Sequence, residues 1–201
     1  DVFVERVGIT TKRTADGWTA DISANIRNLA DTDASAAVTL TLAGQTFTQT
    51  AHIPADSTAI IRIPDAHYAD VTAWTPDTPA LYDLRAEIRE GNQVLDDLID
   101  RVGFREISIS GMDLLLNGEK LRLMGFNRHE EYGAFGCAVP LQAMAQDILM
   151  MKDMGCNCVR TCHYPNDLRF LDLCDEMGLL VWEEEVGGQA VLGRQLLGST
   201  P

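Results

Sequence analysis

No run of apolar residues in this chain approaches the roughly 18–20 that cross a bilayer, which excludes a transmembrane helix and leaves no reason to expect a membrane partner. Basic residues are scarce. Lys and Arg number 16 against 30 Asp and Glu, for a net charge of −14. The deficit is even along the chain, with 16 acidic and 9 basic residues up to Arg105 and 14 and 7 beyond it. No segment could neutralise a row of phosphates, so nucleic acid is not an expected partner, and a neutral or locally steered small substrate stays open. The opening Asp1-Val2-Phe3-Val4-Glu5-Arg6 has neither a basic start nor an apolar stretch. No signal peptide is visible there, and a cytoplasmic location is the expectation. Residues 1–105 contain no cysteine, and all five (Cys137, Cys156, Cys158, Cys162, Cys174) lie beyond them. An odd, one-sided set of this kind argues against a secreted disulfide scaffold. What remains is ordinary: 201 residues, 46% hydrophobic and 23% charged, enough for one large domain or two small ones.

The chain divides into two kinds of text. Residues 1–105 read as all-β. An extended run over 2–12 meets a turn at Thr14-Ala15-Asp16-Gly17, after which Trp18, Ala20, Ile22, Ala24 and Ile26 alternate at period two. Val38, Leu40 and Leu42 repeat the alternation, and Gly44-Gln45 leads into Phe47. A strand over 60–63 stops at Pro64. Leu81, Leu84, Ala86 and Ile88 precede the turn Glu90-Gly91-Asn92, and residues 94–102 supply the last strand. About seven short strands in about 100 residues point to an immunoglobulin-like sandwich. His52 and His67 stand alone there and read as surface or edge residues.

Residues 106–201 read as α/β. A hairpin over 114–123 turns on Asn117-Gly118, and an apolar strand ends at Phe126. Pro140 suits the first turn of a helix whose stripe is Leu141, Met144, Ile148, Met151 and Met154, stopped by Gly155. Cys158-Val159-Arg160-Thr161 is the next strand. A second helix carries Leu168, Leu171, Cys174 and Met177 and stops at Gly178, and Leu179-Leu180-Val181-Trp182 is a third strand. That order is the order of a parallel α/β unit. The division expected is therefore 1–105 and 106–201.

In parallel α/β folds, chemistry gathers where strands end. Asn127-Arg128-His129-Glu130-Glu131 follows the first strand, Arg160-Thr161-Cys162-His163-Tyr164-Pro165-Asn166 closes the second, and Glu183-Glu184-Glu185 follows the third. Two histidines on adjacent strand ends make a stronger functional signal than either alone. One or two of the three glutamates read as solvated loop charges. Cys156, Cys158 and Cys162 beside His163 could be read as a zinc cluster, but strand alternation sends neighbours to opposite faces, which favours small buried thiols.

These segments carry a resemblance. Gly125-Phe126-Asn127-Arg128-His129-Glu130, then Val159-Arg160-Thr161-Cys162-His163-Tyr164-Pro165-Asn166, then Leu173-Cys174-Asp175-Glu176-Met177-Gly178-Leu179 resemble the opening of the catalytic barrel in glycoside hydrolase family 2. That family includes β-galactosidases, β-glucuronidases and β-mannosidases. Trp74-Thr75-Pro76-Asp77-Thr78-Pro79-Ala80-Leu81-Tyr82 and Val102-Gly103-Phe104-Arg105 resemble the end of its immunoglobulin-like domain. The resemblance implies an Ig-like β-sandwich followed by the first three β/α units of a (β/α)8 TIM barrel. On this reading the chain is a fragment of an O-glycosyl hydrolase acting on terminal β-glucuronides or β-galactosides.

The same resemblance implies a retaining mechanism with two glutamates, one an acid/base and one a nucleophile, following the fourth and seventh strands. Glu183, Glu184 and Glu185 match neither, so the chain alone is expected to be inactive. His129 and His163 match histidines that bond sugar hydroxyls and stabilise the transition state, Arg160 matches an arginine in the barrel mouth, and Asn127, Arg128 and Glu130 would buttress them. No cofactor and no metal is implied. β-Galactosidases of the family usually carry a Glu-x-His-Gly magnesium motif after the third strand. Glu185-Val186-Gly187-Gly188-Gln189 lacks it, which puts a glucuronide slightly ahead of a galactoside. Residues 186–201 resemble no continuation in the family. A carbohydrate substrate is the expected partner, and the whole enzyme is expected to be a homo-oligomer. The rival is a carbohydrate-binding or interaction sandwich, against which Trp18 and Trp74 both fit the core pattern.

Overall fold

Along Gly17–Asn28 every second side chain is buried, with Trp18, Ala20, Ile22, Ala24 and Ile26 facing inward. This alternation builds the first of two compact units in the computed structural model, which describes residues 1–184. The unit comprises Asp1–Trp74 and Ala80–Glu119. Its seven long strands are β1 (Val2–Thr14), β2 (Gly17–Asn28), β3 (Ala34–Leu42), β4 (Gln45–Ile53), β5 (Ser57–Tyr68), β6 (Tyr82–Glu90) and β7 (Gln93–Val102). They form two antiparallel sheets, ordered β1-β2-β5 and β4-β3-β6-β7. Ile22, Ile26, Leu40, Leu42, Leu84 and Ile88 fill the space between them. Each such side chain contributes about 1.5–3 kcal/mol when fully buried. Phe104 closes one end, its ring 5.1 Å from Tyr68, 5.5 Å from Tyr82 and 6.1 Å from Trp18.

The fifth strand is longer than its sequence suggests. It does not stop at Pro64 but runs to Tyr68. β5 lies at the edge of its sheet, where a missing N–H costs no ladder bond. Ile63 pairs with Ile22 and Ala66 with Ala20, so Pro64 and Asp65 bulge opposite Asp21, whose carboxylate accepts the Asp65 N–H at 2.8 Å. Three short strands follow, β8 (Ile107–Ser110), β9 (Asp113–Leu116) and β10 (Glu119–Lys120), in the order β10-β9-β8. Asn117 and Gly118 turn with φ of 53° and 83°, as the Asn-Gly pair predicts. The β8–β9 hairpin itself is absent from the sequence reading.

The second unit comprises Thr75–Pro79 and the described residues from Lys120 onward. It contains β11 (Gly125–Arg128), α1 (Leu141–Asp153), β12 (Cys158–Thr161), α2 (Leu168–Met177) and β13 (Leu180–Trp182). The three strands are parallel and neighbour one another in chain order. Met144, Ile148, Val159, Phe170, Cys174 and Leu179 make the core between helices and sheet. Gly125 is required by packing, because a Cβ there would stand 1.7 Å from the Cys158 carbonyl oxygen. Gly178 ends α2 with φ +76°, and a Cβ there would lie 2.2 Å from the Pro76 oxygen. Lys152 Nζ ties the same corner, donating to the Pro76 oxygen at 2.7 Å and the Gly178 oxygen at 2.9 Å.

Three readings shift here. β11 runs to Arg128 rather than ending at Phe126, so Asn127 and Arg128 belong to the strand. The α1 stripe narrows to Met144, Ile148 and Met151, with Leu141 and Met154 exposed at the helix ends. In α2 the buried face is Phe170 and Cys174, and Leu168 is exposed.

Candidate functional site

Parallel pairing in register places Asn127, Arg160 and Trp182 side by side across β11, β12 and β13. Arg160 is the hub of this row. Its Nε donates to Glu184 Oε1 at 2.8 Å, its Nη1 donates to Asn127 Oδ1 at 3.2 Å, and its Nη2 lies 3.4 Å from His163 Nδ1. The Glu184 backbone N–H donates to Thr161 Oγ1 at 3.0 Å, which fixes the carboxylate just past β13. Through this ion pair and the bond to Asn127, Arg160 braces the ends of all three strands.

His129 and His163 meet above this brace. Their ring centroids are 5.3 Å apart and nearly perpendicular at 78°, and the Tyr164 ring lies 6.2 Å from His129. His129 is exposed and His163 half-buried, so both rings reach solvent. Two imidazoles set this close offer several hydrogen-bond donors and acceptors toward one small polar ligand.

Beneath the rim lies a network of paired polar groups, in which Arg128 Nη2 is buried without a hydrogen-bond partner. Arg128 is 7% exposed. Its Nε donates to Asp147 Oδ2 at 2.9 Å, its Nη1 donates to Asn166 Oδ1 at 2.8 Å, and its Cζ lies 4.1 Å above the Phe170 ring. Glu130 receives the Asp167 N–H on both carboxylate oxygens, at 3.1 and 3.0 Å, and gives its own N–H to the Tyr164 hydroxyl at 3.0 Å. The Tyr132 hydroxyl donates to Asp147 Oδ1 at 2.6 Å, a bond to a carboxylate that raises the phenol's pKa. Burial raises the thiol pKa of Cys158 and Cys174, which keeps both in the neutral form.

The structure therefore brings His129, His163, Arg160 and Asn127 together at the rim and sets Arg128 and Glu130 below it. Glu184 was hidden among three consecutive acids. The signal for it is strand alternation, since it stands two residues past Trp182, which is in register with Arg160. Asp147, Tyr164 and Asn166, which hold Arg128 and Glu130, carry no sequence signal of that role. Glu185 and residues 186–201, including the segment in place of the magnesium motif, lie outside the described residues. Cys156, Cys158 and Cys162 are all buried, and among the described residues they do not share one cation-sized donor set. In the first unit His52 and His67 are exposed, 3.4 Å from Asp33 and 3.7 Å from Asp16. None of that unit's aromatic side chains is exposed, so it presents no aromatic platform for a sugar.

Two family models match the chain. One, described as Glycosyl hydrolases family 2, covers residues 2–105, and the other, described as Glycosyl hydrolases family 2, TIM barrel domain, covers residues 107–196, which corrects the expectation that the family likeness stops before residue 186. A curated β-galactosidase from Thermoanaerobacterium thermosulfurigenes is 39% identical over 123 residues, which is 61% of this chain and 17% of that protein. A solved β-galacturonidase from Eisenbergiella tayi bound to galacturonate superposes with a TM-score of 0.88 at 39% identity, covering 92% of this chain and 33% of that one. A β-glucuronidase from Bacteroides uniformis superposes with a TM-score of 0.81 at 28% identity, covering 90% of this chain and 24% of that one. The chain spans from about a sixth to a third of the length of these relatives.

Proposed function

The chain belongs to glycosyl hydrolase family 2, and on that premise we propose that it is part of a retaining β-glycosidase that removes a terminal β-linked sugar. The observation that carries this reading is the His129–His163 pair, set on adjacent strand ends over the Arg160–Glu184 brace. In this role the two imidazoles bond hydroxyls of the sugar and tighten as charge develops at its anomeric carbon. Arg160 and Asn127 keep the strand ends in register. Arg128 and Glu130 hold the backbone that aims both rings.

Retention needs two carboxyls about 5–5.5 Å apart, an acid and a nucleophile. Glu184 is engaged with Arg160 and serves as a brace, so the catalytic pair comes from elsewhere in the whole enzyme, and the chain alone is inactive. A β-uronide is favoured over a β-galactoside by the two solved uronidases among the relatives. Arg128 and Arg160 are both ion-paired already, so they do not select the uronate carboxylate. A cytoplasmic location belongs to the same reading, supported by five cysteines that are all unpaired.

In the whole enzyme, His129→Ala and His163→Ala should each lower kcat and kcat/KM together, by roughly 2–4 kcal/mol of transition-state stabilisation. Steady-state kinetics on a 4-nitrophenyl β-glucuronide measures this. Wild-type kcat in both variants, with only a lower Tm, would leave the pair a purely structural role.

A further inference from the structure

We propose that His129, Cys162 and His163 form a binding site for a borderline-soft divalent cation of the zinc class. One ligand atom from each residue lies within 4.8 Å of the others, the only such group of three or more among the described residues. The set is built from two strand ends, His129 just past β11 and Cys162-His163 just past β12. The set differs from the Cys156, Cys158 and Cys162 cluster beside His163 that strand alternation disfavours: it keeps Cys162 and His163, leaves out Cys156 and Cys158, and takes in His129.

The donor chemistry selects the ion. Two imidazole nitrogens and a thiolate suit Zn2+ and Co2+, whereas Mg2+ and Ca2+ take oxygen ligands. Zinc bonds of about 2.0–2.3 Å place tetrahedral donors about 3.3–3.7 Å apart. Closing the triad therefore needs movements of about an ångström. His129 is exposed, while Cys162 is 2% exposed and anchored by its N–H to the Arg128 oxygen at 3.0 Å. Arg128 and Arg160 both lie nearby, and each is already ion-paired, Arg128 with Asp147 and Arg160 with Glu184. On binding, the Cys162 Sγ–H proton leaves to solvent as the metal–sulfur bond forms. Each imidazole contributes a lone pair, a water fills the fourth position, and no electron is transferred. An occupied site holds both rings on the metal and away from any other ligand. Zinc-class ions thus act as inhibitors of whatever the histidine pair binds, whether or not that ligand is a sugar.

The test titrates the reduced, chelator-free 201-residue chain with Co2+ and follows the thiolate-to-cobalt absorption band, with Zn2+ as the displacing ion. The expected result is one equivalent per chain, the band lost in Cys162→Ser, affinity at least tenfold lower in His129→Ala, and no change in Cys158→Ser. Cys162 is buried and its variant could lose structure, so the exposed His129→Ala, checked by circular dichroism, keeps the test decisive. No saturable band in the wild type overturns the proposal. So does a band that persists at full affinity in His129→Ala, or one that is lost in Cys158→Ser while Cys162→Ser retains it.

Discussion

Arg128 serves the site from below. Its guanidinium is buried between Asp147, Asn166 and the Phe170 ring, beside the residue that starts the rim. Removing one partner of such a pair leaves a charge buried without compensation, at about 3–5 kcal/mol. Arg128→Met should therefore lower the unfolding free energy of the second unit by that order, read as a lower urea midpoint, and an unchanged midpoint would mean the pair is dispensable. Asp167 acts on a smaller scale. It caps α2 by accepting the Arg169 N–H at 2.9 Å, and the Arg169 side chain pulls its pKa down to about 2. A carboxyl depressed in the folded state contributes stability above its unfolded pKa, and that contribution drains away as pH falls through the folded value. Asp167→Ala should then cost about 1 kcal/mol at neutral pH. The gap from wild type should hold down to about pH 4 and close near about pH 2. Urea melts across that range measure it, and a gap that never narrows contradicts the cap. His129, His163 and Arg160 were legible because strand ends in parallel folds collect chemistry. Glu184 was not, because one acid in a run of three differs from its neighbours only through the register of a strand, which a single sequence does not print.

Elements were legible where one period dominates. The alternation in β2 and β3 predicts its buried face without error, and β12 has the expected bounds. Misreadings fall where tertiary position overrides local rules. Pro64 reads as a stop but sits on an edge strand, and Leu168 reads as core but opens its helix at the periphery while Phe170 turns inward. The β11–β12 contact yields a sharp prediction. Gly125→Ala would drive a methyl group into the Cys158 carbonyl, so β11 must part from its neighbour. Overpacking of a tight core costs about 1–3 kcal/mol, and a clash with backbone belongs at the upper end. Gly133→Ala, which meets nothing within 4 Å, is the control. Hydrogen exchange should show lost protection at β11 and β12 in the first variant only. Equal protection in both would mean that the two strands do not approach this closely.

The two units differ in how completely they cover their apolar surface. In the sandwich the inward faces of both sheets pack on each other, and Trp18, Trp74 and Phe104 are buried. Among the described residues of the second unit β11 and β13 are both edge strands, and Phe126 and Trp182 are 52% and 60% exposed. A full (β/α)8 barrel fills its interior with side chains from alternate strands, and three strands cannot supply the opposing wall. Exposed parallel edges with apolar flanks recruit other chains. Limited proteolysis should leave a stable core within residues 1–119, and gel filtration of the whole chain should show oligomers that the core lacks. A protease-resistant monomer with a single unfolding transition would show that the second unit finds its own closure. The most direct test of the whole account is hydrolysis of 4-nitrophenyl β-glycosides, β-glucuronide and β-galacturonide foremost. It compares the 201-residue chain with a polypeptide that continues it through the remaining barrel strands. The account predicts background rates for the chain and turnover for the longer polypeptide. Turnover by the chain alone, abolished by substituting Glu183, Glu184 or Glu185, would contradict it.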